Sequence, residues 1–296
     1  MRTAFLLMLV AAAAQAQTPP EAATQRGGTY IEPPARVDPA FVPDGPNQRA
    51  ASGSLLQLRL TLDIPLRTGT RAGNGTQGGF GGSPTLQAWL RWQPLEDRRW
   101  FAQLGLFKYL RAGREQPWNP DFAYSFGFED ARPGGWAFIY ANWTGTRFSP
   151  GVGEHRFNFP QGELTARYHF ELPQALQPAL LVGDGDSALC QAETNLVPRY
   201  TQASGGTGSG KVSLGLGCRY TRPEGWFAHA TAFAWPNASR QQPWDPDFVY
   251  GVGWAQGPWT VQYANYSGNR WPGRKRATGE GRLDSGSLSI TWAAAW

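Results

Sequence analysis

Alternation of apolar and polar positions runs through this chain. Leu56, Leu58, Leu60, Leu62, Ile64 and Leu66 alternate with Gln57, Arg59, Thr61, Asp63 and Pro65. A period of two predicts a strand with one apolar and one polar face. Phe122, Tyr124, Phe126 and Phe128 alternate with Ala123, Ser125, Gly127 and Glu129 in the same way. So do Leu164, Ala166, Tyr168, Phe170 and Leu172 with Glu163, Thr165, Arg167, His169 and Glu171. Val212, Leu214, Leu216 and Cys218 alternate with Lys211, Ser213, Gly215 and Arg219. This reading places six strands at about 54–66, 85–93, 99–110, 121–130, 135–143 and 162–172. Six more follow at about 188–202, 211–221, 225–235, 247–255, 258–266 and 286–296. A further strand at 176–183 would break that even count.

The connections sort by length. Long segments at 67–84, 111–120 and 144–161 alternate with short turns at 93–98 and 131–134, and the second set of strands repeats the rhythm. Such sorting is expected of a barrel with long loops outside the cell and short turns in the periplasm. A soluble sandwich has no reason for it.

The chain also repeats itself, which bears on fold before any motif does. Gln116-Pro117-Trp118-Asn119-Pro120-Asp121-Phe122 recurs as Gln242-Pro243-Trp244-Asp245-Pro246-Asp247-Phe248, and Trp100-Phe101-Ala102 as Trp226-Phe227-Ala228, both at a separation of 126. Tyr140 to Phe148 matches Tyr263 to Trp271 at a separation of 123, so an intervening turn is shorter by three residues in the second copy. The halves are roughly 54–173 and 187–296.

Composition supports the strands. Glycine (37) and tryptophan (14) are abundant, and charged residues make up 17%. The charged share is below the roughly 25% of soluble domains. Arg2, the apolar run Ala4 to Ala13 and the Ala14-Gln15-Ala16 site form a secretory signal, with cleavage expected after Ala16. Residues 17–53, rich in proline, glycine and polar residues, read as a flexible leader, leaving 54–296 for the barrel. The formal charge of +5 includes no dense basic cluster beyond Arg274-Lys275-Arg276, so nucleic acid is not an expected partner.

Leu288, Ile290, Trp292, Ala294 and Trp296 share one face of the last strand. With the export signal and the loop rhythm, this terminus resembles those of bacterial outer-membrane β-barrel proteins as a group. The fold expected is all-β: a closed antiparallel transmembrane β-barrel of about twelve strands, formed by two duplicated six-strand halves. The resemblance implies placement in the bacterial outer membrane, contact with its lipid, and recognition of the strand ending at Trp296 by the barrel-assembly machinery.

Candidate chemistry is sparse. Cys190 and Cys218 fall on the two strands of one hairpin, on either side of Ser204-Gly205-Gly206, so antiparallel pairing can oppose them near the periplasmic end. An exported compartment permits their oxidation to a disulfide. Two cysteines alone do not suggest a metal site, and no cofactor is expected. Gly205 to Lys211 resembles a phosphate-binding loop, but Val212 stands where Ser or Thr is required and a strand follows. The repeated Pro-Trp-Asn/Asp-Pro-Asp-Phe and Gly-x-Arg segments put Trp118, Asp121 and Arg147, and again Trp244, Asp247 and Arg270, at the outer rim. Those residues form either a turn with an internal Asp–Arg pair or two sites for a polar ligand such as a saccharide. Alternation turns Arg59, Arg91, Arg167, His169, Arg199 and Arg219 into the lumen, against Asp63, Glu163, Glu171 and Glu193; such charges either select solutes as rings or pair to close the lumen as a plain wall. The first expectation is therefore passage or surface binding of a polar solute. Its rivals are a soluble tandem β-sandwich lectin and a barrel-wall enzyme acting on lipid. The second requires a Ser–His pair and an orienting group, and no nucleophile stands at convincing spacing.

Overall fold

The computed structural model describes residues 55–66, 83–111, 120–149, 156–202, 206–272 and 283–296, apart from 96, 98, 144, 145, 182, 243, 267, 268, 284 and 285. Twelve strands lie in chain order. They are β1 (Leu55–Pro65), β2 (Thr85–Gln93), β3 (Trp100–Tyr109), β4 (Phe122–Glu129), β5 (Trp136–Asn142) and β6 (Glu163–Glu171). After them come β7 (Ser187–Thr201), β8 (Thr207–Thr221), β9 (Trp226–Ala234), β10 (Phe248–Gln256), β11 (Trp259–Asn265) and β12 (Ser287–Ala295). Each pairs antiparallel with its neighbours in sequence, and β1 pairs with β12 to close a barrel. Closure satisfies every strand edge, which a pair of sandwiches cannot do. The tandem-sandwich reading is thereby excluded.

Residues 176–183 hold a helical turn, Gln177–Leu180, so the strand count stays even. β8 begins at Thr207, four residues before the expected start at 211. Its glycine-rich beginning looks like a loop in sequence, yet Thr207, Gly208 and Ser209 pair with Thr201, Tyr200 and Arg199. No helix follows Lys211, so the phosphate-loop resemblance has no structural basis.

Strict alternation along antiparallel strands carries one set of side chains inward and the other outward. The inward set is polar. Gln57, Arg59, Gln103, Arg167, Glu193 and Asn195 are all buried. The outward set is apolar and open: Leu60 is 45%, Leu216 52% and Phe138 55% exposed. Aromatic residues concentrate towards the strand ends. Trp100, Trp136, Trp226 and Trp259 lie near the short turns, and Phe122, Tyr124, Phe248 and Tyr250 near the long loops.

The repeated sequence blocks occupy matching registers. Trp100 pairs with Phe128 and Trp226 with Trp254; Tyr124 pairs with Asn142 and Tyr250 with Asn265. The three-residue difference in spacing lies between β4 and β5, where 130–135 corresponds to the tighter Gly257-Pro258 turn between β10 and β11. Cys190 opposes Cys218 directly and the two are joined in a disulfide. Both belong to the outward set, close to the short-turn end.

Candidate functional site

Three groups of polar residues have defined geometry: one inside the barrel and two at the long-loop rim. The rim groups are built alike. In the first half, Asp121 opens β4 and its carboxylate accepts the backbone N–H of Phe148 at 2.9 Å and the Arg147 guanidinium at 3.0 Å. The backbone N–H of Asp121 donates to the Thr146 carbonyl (2.9 Å), and the Tyr109 hydroxyl donates to the Pro120 carbonyl (3.0 Å). In the second half, the Asp247 carboxylate accepts the backbone N–H of Trp271 at 3.0 Å and lies 3.6 Å from the Arg270 guanidinium. The backbone N–H of Asp247 donates to the Asn269 carbonyl (2.8 Å), and the Trp235 indole N–H to the Pro246 carbonyl (3.1 Å). An aromatic pair covers each group, Phe122 with Phe148 at 5.2 Å and Phe248 with Trp271 at 4.7 Å.

These contacts clasp one long loop to the next. Aspartate suits the position because it can accept backbone N–H groups and a guanidinium together. The polar atoms of Asp121, Arg147, Asp247 and Arg270 are thus turned to each other and to the backbone. Trp244 is buried beneath the second clasp. Trp118 lies outside the described residues.

The lumen group joins four charged side chains from β2, β4, β6 and β7. Arg91 on β2 meets Glu129 on β4 at 2.8 Å. Arg167 on β6 stands 3.8 Å from Glu129 and 3.0 Å from Glu193 on β7. Gln191 and Asn195 donate to the Glu193 carboxylate at 3.1 Å each, and the Thr165 hydroxyl donates to Asn195 at 2.7 Å. The Arg167 and Glu193 side chains are each only 5% exposed. At that burial an ion pair is held by its accessory hydrogen bonds as much as by charge. A second buried pair, Lys211 with Asp245 at 2.8 Å, stands beneath the long loops beside Tyr200 and Trp235.

Two arginines of the lumen lie over aromatic faces. Arg91 sits 3.9 Å from the Phe101 ring and Arg219 sits 4.1 Å from the Phe227 ring. The second ring presses on Gly253, where an added Cβ would meet it at 2.5 Å. These two stacks correspond in structure, although Arg91 and Arg219 are 128 apart while Phe101 and Phe227 are 126 apart. The β8–β9 turn, 222–225, is shorter than the β2–β3 connection, 94–99, and this hides the equivalence in sequence. Trp89 adds bulk to the same interior, 5.5 Å from both Phe107 and Trp143.

Of the other lumen candidates, Arg59 and His169 are buried on the inward face. Arg199 is exposed instead, and its buried neighbour is Tyr200. Pro198 and the left-handed Gly210 (φ 65°) lie opposite each other there, and simple alternation does not predict burial beyond them. Both described histidines, His169 and His229, are buried in the inward set. A lipid-facing catalytic histidine is therefore absent among the described residues.

Between the ion pairs lies a cavity lined by Ser125, Thr165, Gln191, His229, Phe233 and Tyr266, with about 60 Å³ of space for water-sized spheres. A water needs roughly 10–15 Å³ by that measure. The cavity has room for a few waters.

No family model matches the chain, and no curated protein matches it in sequence. Among solved structures, Neisserial surface protein A aligns over 83% of this chain and 96% of its own, at 10% identity and a TM-score of 0.16. A likeness that slight carries no argument here.

Proposed function

We propose that this protein is an outer-membrane β-barrel whose lumen is closed at mid-height by its own side chains. The observation that carries the reading is the inverted polarity of the wall. Leucine, tryptophan and phenylalanine face outward and exposed, while arginine, glutamate and glutamine are enclosed. In water this arrangement is unfavourable, since hydration of apolar surface costs about 25 cal/mol per Å². In a bilayer it is the required one, because a closed barrel also leaves no backbone group unsatisfied. Aromatic residues at both ends of the strands suit the two membrane interfaces.

Passage of a saccharide is not favoured by this geometry. The Arg91–Glu129–Arg167–Glu193 network lines the inner wall from β2 to β7 and narrows the space that such a solute would need. Permeation is confined to water and the smallest ions unless the network parts. The rim residues first considered for ligand binding act in this reading as loop clasps.

The test is fractionation followed by electrophoresis with and without boiling. The protein is expected in the outer-membrane fraction, with a folded band in SDS that shifts on boiling. Recovery in the soluble periplasm with no shift would overturn the proposal.

A further inference from the structure

We propose that the lumen holds a binding niche for a small alkylammonium ion, on the long-loop side of the Arg91–Glu129–Arg167–Glu193 network. The inference rests on the closed-lumen reading, because that network forms the floor of the niche. Ser125 on β4 pairs with Ala141 on β5, and Ala141 pairs with Glu163 on β6. All three line the cavity between the ion pairs. They form one row across three strands, which sets Ser125 and Glu163 about 9–10 Å apart at the backbone. The side chain between them is the methyl group of Ala141.

The niche suits a hydrogen-bonding occupant. Ser125 is 3% exposed, yet its hydroxyl finds no partner among the described residues. A buried hydroxyl left unmatched is costly, so it points to a group that binds it. Across the row, the Glu163 carboxylate accepts the Thr165 hydroxyl at 3.4 Å, and a carboxylate accepts several hydrogen bonds at once. An N–H donor set over Ala141 meets an oxygen on each side. Positive charge is favoured there over a neutral donor. The described lining of the cavity carries three carboxylates, Glu129, Glu163 and Glu193, against two guanidiniums, Arg91 and Arg167. Aromatic rings complete the enclosure. Trp143 follows two residues after Ala141, and Tyr266, which matches it in sequence, enters the same cavity from the end of β11, six strands around the barrel from β5. Ring faces attract alkylated ammonium groups. Room for a few waters limits the ion to a few carbon atoms.

The corresponding row in the last six strands lacks this chemistry. Gly251, Ala264 and Ser287 occupy it. The His229 ring crowds Gly251 and leaves no room for a Cβ, and the Ser287 hydroxyl donates to Asp63 at 2.7 Å. The niche therefore belongs to the first six strands alone.

The experiment titrates the full chain, folded in detergent micelles, with trimethylammonium chloride. Potassium chloride at equal ionic strength and the neutral isostere tert-butanol are the controls. The readout is the temperature at which the folded band converts to the unfolded one, which rises when a ligand binds the folded state alone. Trimethylammonium is expected to raise it saturably, and neither control to do so. Glu163→Gln should weaken the apparent affinity at least about tenfold, the loss of one charge-assisted hydrogen bond. Ser125→Ala should weaken binding without lowering stability in the absence of ligand, which a structural role for the hydroxyl would not give. Ala141→Val should block the niche without changing its charge. Glu171→Gln, on the same strand as Glu163 but exposed at the short-turn end, should leave the affinity unaltered. If Glu163→Gln does not fold, Ser125→Ala and Ala141→Val carry the test. No saturable rise with trimethylammonium, an equal rise with potassium or tert-butanol, or full affinity in Ala141→Val would overturn the proposal. Wide conducting channels from the unaltered protein would remove the closed-lumen reading itself, and this inference with it.

Discussion

The first six strands of the barrel and the last six agree at the rim and differ inside. Both carry an aspartate clasp between long loops, and both stack an arginine on a phenylalanine of the next strand. Glu129 pairs with Arg91 on one side, whereas Ala255 occupies the place that corresponds to Glu129 on the other. Only the second half buries a lysine–aspartate pair, Lys211 with Asp245. The outer wall differs too. Leu90, the residue before Arg91, pairs with Leu58, and Cys218, the residue before Arg219, pairs with the disulfide partner Cys190. What recurs holds strands and loops in place. What does not recur is the charged network that lines the lumen, so any activity particular to this barrel should be sought there.

The largest expected effect comes from breaking that network. Glu193→Ala takes from the buried Arg167 its nearer acid, leaving Glu129 at 3.8 Å, and should lower stability by about 3–5 kcal/mol, measured by urea unfolding in vesicles. Replacing both partners, Arg167→Met with Glu193→Leu, should recover most of that loss. A double variant as unstable as the single one would show that the residues act separately. Removal of the disulfide comes next. Cys190→Ser with Cys218→Ser should cost about 2–4 kcal/mol, whereas Leu58→Ala in the other half should cost less if lipid fills the space. Equal losses would erase that contrast.

The clasps offer a finer comparison. Asp121→Asn and Asp247→Asn each weaken charge-assisted hydrogen bonds, at about 1–3 kcal/mol. The second should be the more damaging, because Asp247 is fully buried and Asp121 is not. The smallest effect is expected in the β4–β5 turn. Hydrogen bonds from Arg132 hold the Asp130 carboxyl down at about 2, and the Gly257-Pro258 turn of the other half carries no such pair. A carboxyl with a depressed pKa stabilises the fold above its unfolded value, near 3.8, and that stabilisation fades as pH falls through about 2. Asp130→Asn should therefore flatten the acid limb of the stability profile and leave neutral stability unchanged.

Strand placement was legible because period-two alternation and turn residues mark a barrel wall directly. Leu56 to Leu66 needed no tertiary information. β8 was misjudged at its start because Gly208 and Gly210 carry no side chain with which to show a period. The clasp was legible as one of two readings, since repeated aspartate and arginine suit both an internal pair and a ligand. Arg199 was misplaced because alternation assumes an unbroken strand and Pro198 with Gly210 interrupts it. A closed, salt-bridged lumen is one of two readings that alternation leaves open. Alternation tells which residues point inward, but not that Glu129 and Arg167 approach within 3.8 Å across intervening β5.

Planar-bilayer conductance of the folded protein tests the closed lumen most directly. The account predicts no porin-sized steps from the wild-type chain, and larger steps once Arg167→Ala and Glu193→Ala together remove that buried pair from the inner wall. Wide, stable channels from the unaltered protein would contradict it.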